Sequence, residues 1–222
     1  MREASSGRCI SSEHTRDRVA PEDASVLEAT YKGVDGGICF KSLLPLAFRA
    51  LEAGADIYEV SSLLNWRDFE ELVLEYAKLS GLEGLRGLRT TLRRYEYDVI
   101  AVNLLSGAGL IVDCKHWSPG YGKKGKLKYV ASVHALKCRY LINECDVLSK
   151  NYGIIRKAKW FIPTLVTLTE VIRGPLEGTL VVPIRMLRDF MVNLEYYVDL
   201  IREPGLKILN KCWSTGPSSR GE

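Results

Sequence analysis

Two apolar runs, each carrying an acid inside it, constrain this chain more than any other feature. They are YEYDVIAVNLL, from Tyr95 to Leu105, and LIVDCKHW, from Leu110 to Trp117. Both are rich in β-branched and aromatic residues and read as strands, and the intervening Ser106 to Gly109 reads as a turn, so a hairpin is the simplest structure. Side chains alternate along a strand, which puts Asp113 and Lys115 on one face and Val112, Cys114 and His116 on the other. A turn at Ser106 to Gly109 can also set Asp98 across from Asp113.

Carboxylates in a half-buried sheet are costly unless they are paired or bound to a cation, and two that converge repel each other. A hard divalent ion that prefers oxygen ligands and keeps several waters, magnesium (Mg2+) or manganese (Mn2+), relieves that repulsion and leaves positions for a phosphate. Asp98 and Asp113 are therefore the expected metal ligands. Glu70 is expected to add a third oxygen from a helix running from Trp66 to Leu79, capped by Asn65 and stopped by Gly81. Lys115 is placed to orient a water or neutralise phosphoryl oxygens, which makes phosphodiester hydrolysis the expected chemistry. The competing reading is a surface ion pair of Asp113 and Lys115 on an edge strand. An acid two residues before a lysine is common by chance, so the weight rests on the apolar setting and on Asp98 and Glu70.

The strings WRDFEELVLEYAKLSG, YEYDVIAV and LIVDCKHW together resemble the PD-(D/E)xK nuclease superfamily, above all Mrr-type restriction endonucleases and Holliday-junction resolvases. The resemblance spans roughly 66–184. It implies a restriction-endonuclease-like α/β core, a central mixed sheet flanked by helices, with a catalytic set that falls on Glu70, Asp98, Asp113 and Lys115. Phe69 and Glu70 match that family's Phe-Glu pair, and Cys114 to Trp117 resemble the segment after its catalytic acid. Arg94, Tyr95, Glu96 and Tyr97 stand where the family often has a glycine-rich turn, which leaves a contribution from Glu96 open. Glu71 is the alternative to Glu70. The resemblance further implies DNA as partner and a homodimer, because cutting two strands favours paired sites.

Net charge is only +4, so position matters more than quantity. Arg86, Arg89, Arg93 and Arg94 precede the hairpin. Lys123, Lys124, Lys126 and Lys128 follow it, in what reads as a Gly- and Pro-containing loop. Arg93, Arg94 and these lysines are expected to meet DNA phosphates. His134 lies on the apolar stripe of a helix expected from about Leu127 to Leu148. It is either a core histidine or a phosphate-side donor. Cys114, His116, His134 and Cys138 form an alternative zinc set.

Residues 1–25 read as a disordered tail, 26–65 as a hairpin turning at Asp35 to Gly37 followed by helices packed on the core, 66–204 as the nuclease core and 205–222 as a loose C-terminal tail. A strand is expected from near Leu88. Strands are also expected at FIPTLVTL and GTLVVPI, followed by a closing helix with Pro183 in its first turn. No apolar stretch reaches the ~20 residues of a membrane span, and the N-terminus is too polar for a secretory signal, so a cytoplasmic protein with no membrane partner is expected. The six cysteines form no CxxC pair and are expected reduced. The absence of glutamine fits a thermophilic source, in which disulfides are less improbable.

Overall fold

The structure is a computed structural model that describes residues 8–10, 30–32, 38–91, 93–117, 123–201 and 203–214. The chain divides into two compact units, Met1–Leu64 and Asn65–Glu222.

In the first unit, strands β1 (Arg8–Ile10), β2 (Thr30–Lys32) and β3 (Ile38–Phe40) form an antiparallel sheet in the order β1-β3-β2. The expectation of a wholly disordered N-terminal tail is corrected at residues 8–10, whose backbone pairs with β3. The expected turn at Asp35 to Gly37 lies outside the described residues. Helices α1 (Leu44–Glu52) and α2 (Ile57–Leu63) follow, and Asp56 caps α2 by accepting from the amides of Tyr58 and Glu59.

The second unit is an α/β layer around a seven-stranded mixed sheet. Its elements are α3 (Trp66–Leu79), β4 (Glu83–Arg89), β5 (Glu96–Val102), β6 (Ala108–Lys115), α4 (Lys123–Asn143), α5 (Cys145–Leu148), β7 (Trp160–Thr167), β8 (Gly174–Leu176), β9 (Thr179–Pro183), α6 (Leu187–Val192), α7 (Leu194–Leu200) and β10 (Ile208–Leu209). The strand order is β4-β5-β6-β7-β9-β8, with β10 paired antiparallel to the start of β7. β4, β5 and β6 run antiparallel, and β6, β7 and β9 run parallel. That change of direction requires a crossover between β6 and β7, and α4 supplies it.

Asn65 caps α3 by accepting from the Asp68 amide at 2.9 Å. Phe69, Leu72, Val73 and Ala77 are fully buried along one face of this helix. On α4, Cys138 and Leu141 pack with Ile100, Val102 and Ile111 in one core cluster. The two helices thus hold the hairpin in place through different residues.

Several boundaries differ from expectation. β4 starts at Glu83, not near Leu88. Its glycines oppose a helix and serve the strand, for a Cβ on Gly84 would meet Leu74 of α3 at 2.6 Å, and Gly87 has φ +70°. α4 begins at Lys123, earlier than Leu127, so the four lysines stand on its first turns and not in a loop. Pro183 ends β9, and the closing helix is two helices parted at Asn193. The C-terminal tail is built onto the sheet as far as Ser214: β10 pairs β7, and Cys212 is disulfide-bonded to Cys145, with Cα atoms 6.0 Å apart. Cys39 is also disulfide-bonded. The expected reduced state therefore holds only for Cys114 and Cys138 among the described residues. Among those residues no helix is long and apolar enough to cross a membrane.

Candidate active site

β6 lies inside the sheet, between β5 and β7. The register Val99↔Val112 and Ile100↔Ile111 carries Asp98 to the position facing Asp113, one step beyond the last paired residues. The pairing stops there because Asp98 takes the place of a backbone acceptor: its Oδ2 receives the Cys114 amide at 2.6 Å. A carboxylate thus sits where the two strands part.

Lys115 Nζ lies 2.5 Å from Asp113 Oδ2, with the two side chains 20% and 10% exposed. The pair is partly desolvated and on an inner strand, which removes the reading of a surface pair at a sheet edge. In the parallel register Asp113 stands beside Leu165 and Lys115 beside Thr167 of β7. Phe69 of α3 packs edge-on against His116, with ring centroids 5.1 Å apart, and this contact anchors the helix beside the end of β6.

Glu70 projects from the same helix and meets Arg86 of β4, whose Nη1 lies 3.3 Å from its carboxylate. Arg86 Nε pairs with Glu71 at 2.9 Å. Glu70 is the more buried of the two acids, at 12% against 32% side-chain exposure. Burial, and then the charge of Asp98, raise its carboxyl to about 7, with Arg86 offsetting only part of this. Burial, followed by the charge of Asp113, raises Asp98 to about 6 despite the Cys114 amide. Each acid in this chain feels the next, Glu70 to Asp98 to Asp113, and two of them keep a proton well above the usual carboxylate range.

The three carboxylates do not close into a tight cage. Among the described residues, the one group of His, Cys, Asp or Glu whose ligand atoms all lie within 4.8 Å of one another is Cys145, Asp146 and Cys212, and two of its members are joined in the disulfide. The reason is local: Asp113 leans to Lys115, Asp98 to the Cys114 amide and Glu70 to Arg86. Glu96 is committed to Arg89 at 2.8 Å on the exposed side of β5. The alternative set of Cys114, His116, His134 and Cys138 does not converge either.

His134 is 2% exposed. Its Nε2 donates to the Ile111 carbonyl at 2.9 Å, and Cys138 Sγ lies 3.4 Å from the same nitrogen. Burial lowers its pKa, which favours the neutral ring. The expectation of a phosphate-side donor is corrected, because the donating nitrogen already serves a strand carbonyl.

The basic residues flank this end of the sheet. Arg93 and Arg94 lie exposed in the turn leading into β5, Arg94 with φ 51°, and the Arg93 guanidinium stands 4.9 Å from the Tyr140 ring centroid. Lys124, Lys126 and Lys128 are exposed on the first turns of α4, which follows β6, and Lys123 opens that helix. Lys126 covers the Trp117 ring at 4.5 Å. Arg86 is the site residue that sequence reasoning left in a surface cluster. Its one legible signal is its place between Leu85 and Leu88, in a segment where glycines hide the strand pattern.

Comparison with family models, curated proteins and solved structures finds no match to this chain.

Proposed function

We propose that this protein is a divalent-metal-dependent DNA endonuclease with a restriction-endonuclease-like core of the PD-(D/E)xK type, acting as a restriction or resolvase-like enzyme. The observation that carries the reading is the run of mutually repelling carboxylates at the parting of β5 and β6, with a lysine beside them. Burial first, and then the charge of a neighbouring acid, holds protons on Glu70 and Asp98 to about 7 and about 6, a perturbation of the kind that gathers at functional sites. Their donor set is all oxygen, which suits magnesium or manganese and not a softer metal.

Asp98 and Asp113 would hold the ion, with Glu70 as a further oxygen. When bound, the ion supplies Lewis acidity and lowers the pKa of water. Lys115 has the remaining work: its ammonium orients the attacking water in line with phosphorus and stabilises negative charge developing on the phosphoryl oxygens. The cations of α4 and of the turn before β5 hold flanking phosphates without reading sequence. A symmetric homodimer fits the cutting of two strands.

Linear, supercoiled and branched DNA incubated with magnesium, and with a chelator as control, tests the proposal. Cleavage is expected only with metal. Asp113→Asn and Lys115→Ala should each reduce its rate by about 10²–10³-fold or more, with an unchanged circular dichroism spectrum. Wild-type protein that leaves every substrate intact, or cleavage indifferent to both substitutions, sinks it.

Arg86 favours a second reading. A guanidinium already spans Glu70 and Glu71, as it does not need to in a site kept for a metal. A protein that binds DNA but cuts neither DNA nor RNA would establish this catalytically idle form, whereas preferential cutting of RNA or from ends would redirect the substrate and keep the chemistry.

A further inference from the structure

The turn joining β5 to β6 lies about six residues from Asp113, roughly 20 Å along the strand. At this opposite end of the sheet there is a cleft of about 610 Å³, within the range of small-ligand sites. Its walls include Leu104, Leu105, Arg156, Lys157, Lys159 and Trp213, and among the described residues no carboxylate lines it. Glu83 pairs with Lys157 at 2.6 Å from outside that lining. Arg156 Nε donates to Ser149 Oγ at 2.8 Å, which fixes the guanidinium.

Trp213 remains 41% exposed, and Lys159 Nζ stands 5.4 Å from its ring centroid. Leu105 is 96% exposed at the mouth. An aromatic in this position gains little from the core, yet the chain is held there at several points. Asn210 Nδ2 donates to the carbonyls of Ile155 and Ala158, both at 2.7 Å. The Trp213 amide donates to the Asn210 carbonyl, the Ser214 amide donates to the Arg156 carbonyl, and the neighbouring Cys212 is bonded to Cys145. A rigid ring with a cation beside it is suited to a ligand with both a flat face and a negative charge.

We propose that this cleft binds a nucleoside phosphate, free or as the phosphorylated end of a single strand. The base stacks on Trp213, and the phosphate meets Lys159 and Arg156. The inference does not depend on hydrolysis at Asp98 and Asp113.

Isothermal calorimetry on the full chain in chelator tests it. The probes are adenosine diphosphate, a single-stranded oligothymidylate carrying a terminal phosphate, and the same strand without it. Saturable binding of at least one phosphorylated probe is expected, and the tighter of the two identifies the source. Trp213→Ala and Lys159→Ala should each weaken it about tenfold or more. Leu105→Glu, at a site too exposed to affect folding, should weaken it as well by setting a negative charge at the mouth. Silence with both phosphorylated probes overturns the proposal. So does affinity that survives all three substitutions, or equal affinity for the unphosphorylated strand. None of these outcomes bears on the cleavage assay, so the two ideas fail separately.

Discussion

Glu70 and Asp98 keep their protons to about 7 and about 6 because their carboxyls are desolvated and each feels another acid, and the consequence has a definite sign. Both values lie above those of an unfolded chain, so the folded protein binds more protons than the unfolded one in between. Their contribution to stability is complete at acid pH, below the ordinary carboxylate range, and is lost as pH rises through about 6 and then about 7. Metal-free protein should therefore lose thermal stability across that interval. Asp98→Asn and Glu70→Gln should flatten the decline and raise metal-free stability above pH 7 by on the order of 1 kcal/mol each. Magnesium should reverse the trend, stabilising the wild type more as pH rises, because protons compete for the same oxygens. Thermal melts at a series of pH values, with and without magnesium, check all three statements; a metal-free melt indifferent to pH over this range contradicts them. At this scale the sequence was informative where the acids interrupt apolar runs. Asp98, Asp113 and Lys115 fall at one sheet end as the alternation of side chains requires. Arg86 was not legible as a partner of Glu70, since its place between Leu85 and Leu88 marks a strand residue but not which acid it meets.

Helix α4 begins where a loop was expected, and this changes how its lysines act. On a helix, Lys124 and Lys128 are four residues apart and share a face, whereas Lys126 turns onto Trp117. Neutralising Lys124, Lys126 and Lys128 together should weaken DNA binding and lower the slope of log affinity against log salt by about 0.9 for each phosphate contact removed, measured by fluorescence anisotropy. An unchanged slope removes the helix start from the interface. Further along α4, His134 ties the helix to β6 through the Ile111 carbonyl, so His134→Ala should cost about 1–3 kcal/mol in urea unfolding and leave DNA affinity alone. A large loss of affinity without loss of stability would restore the histidine to the binding surface. The hairpin, α3 and the body of α4 were readable because their apolar patterns are long, and Asn65 marks the start of α3. Short elements were not: β8 has three residues and β10 two, too few to show a period, and β4 carries glycines chosen for closeness to α3.

The unit from Asn65 to Glu222 is drawn together by a sheet whose inner strands run antiparallel on one side of β6 and parallel on the other. Its two ends differ in chemistry, one lined by buried acids and the other by cations beside an aromatic ring. The cystine between Cys145 and Cys212 spans a sequence separation of 67 and encloses β7, β8, β9, α6, α7 and β10. No reading of cysteine spacing alone could have paired these two, because pairing depends on where the last strand returns, and β10 was invisible. Removing the bond with Cys212→Ser should cost about 2–4 kcal/mol, by freeing the unfolded chain, and should loosen Trp213 with it. When such a molecule is stretched by its ends, tension passes through the sulfur bridge and bypasses everything it encloses. Optical-tweezers traces of the oxidised protein should therefore come up short, by roughly 230 Å of contour, against traces of the Cys212→Ser variant, in which this bridge alone is missing.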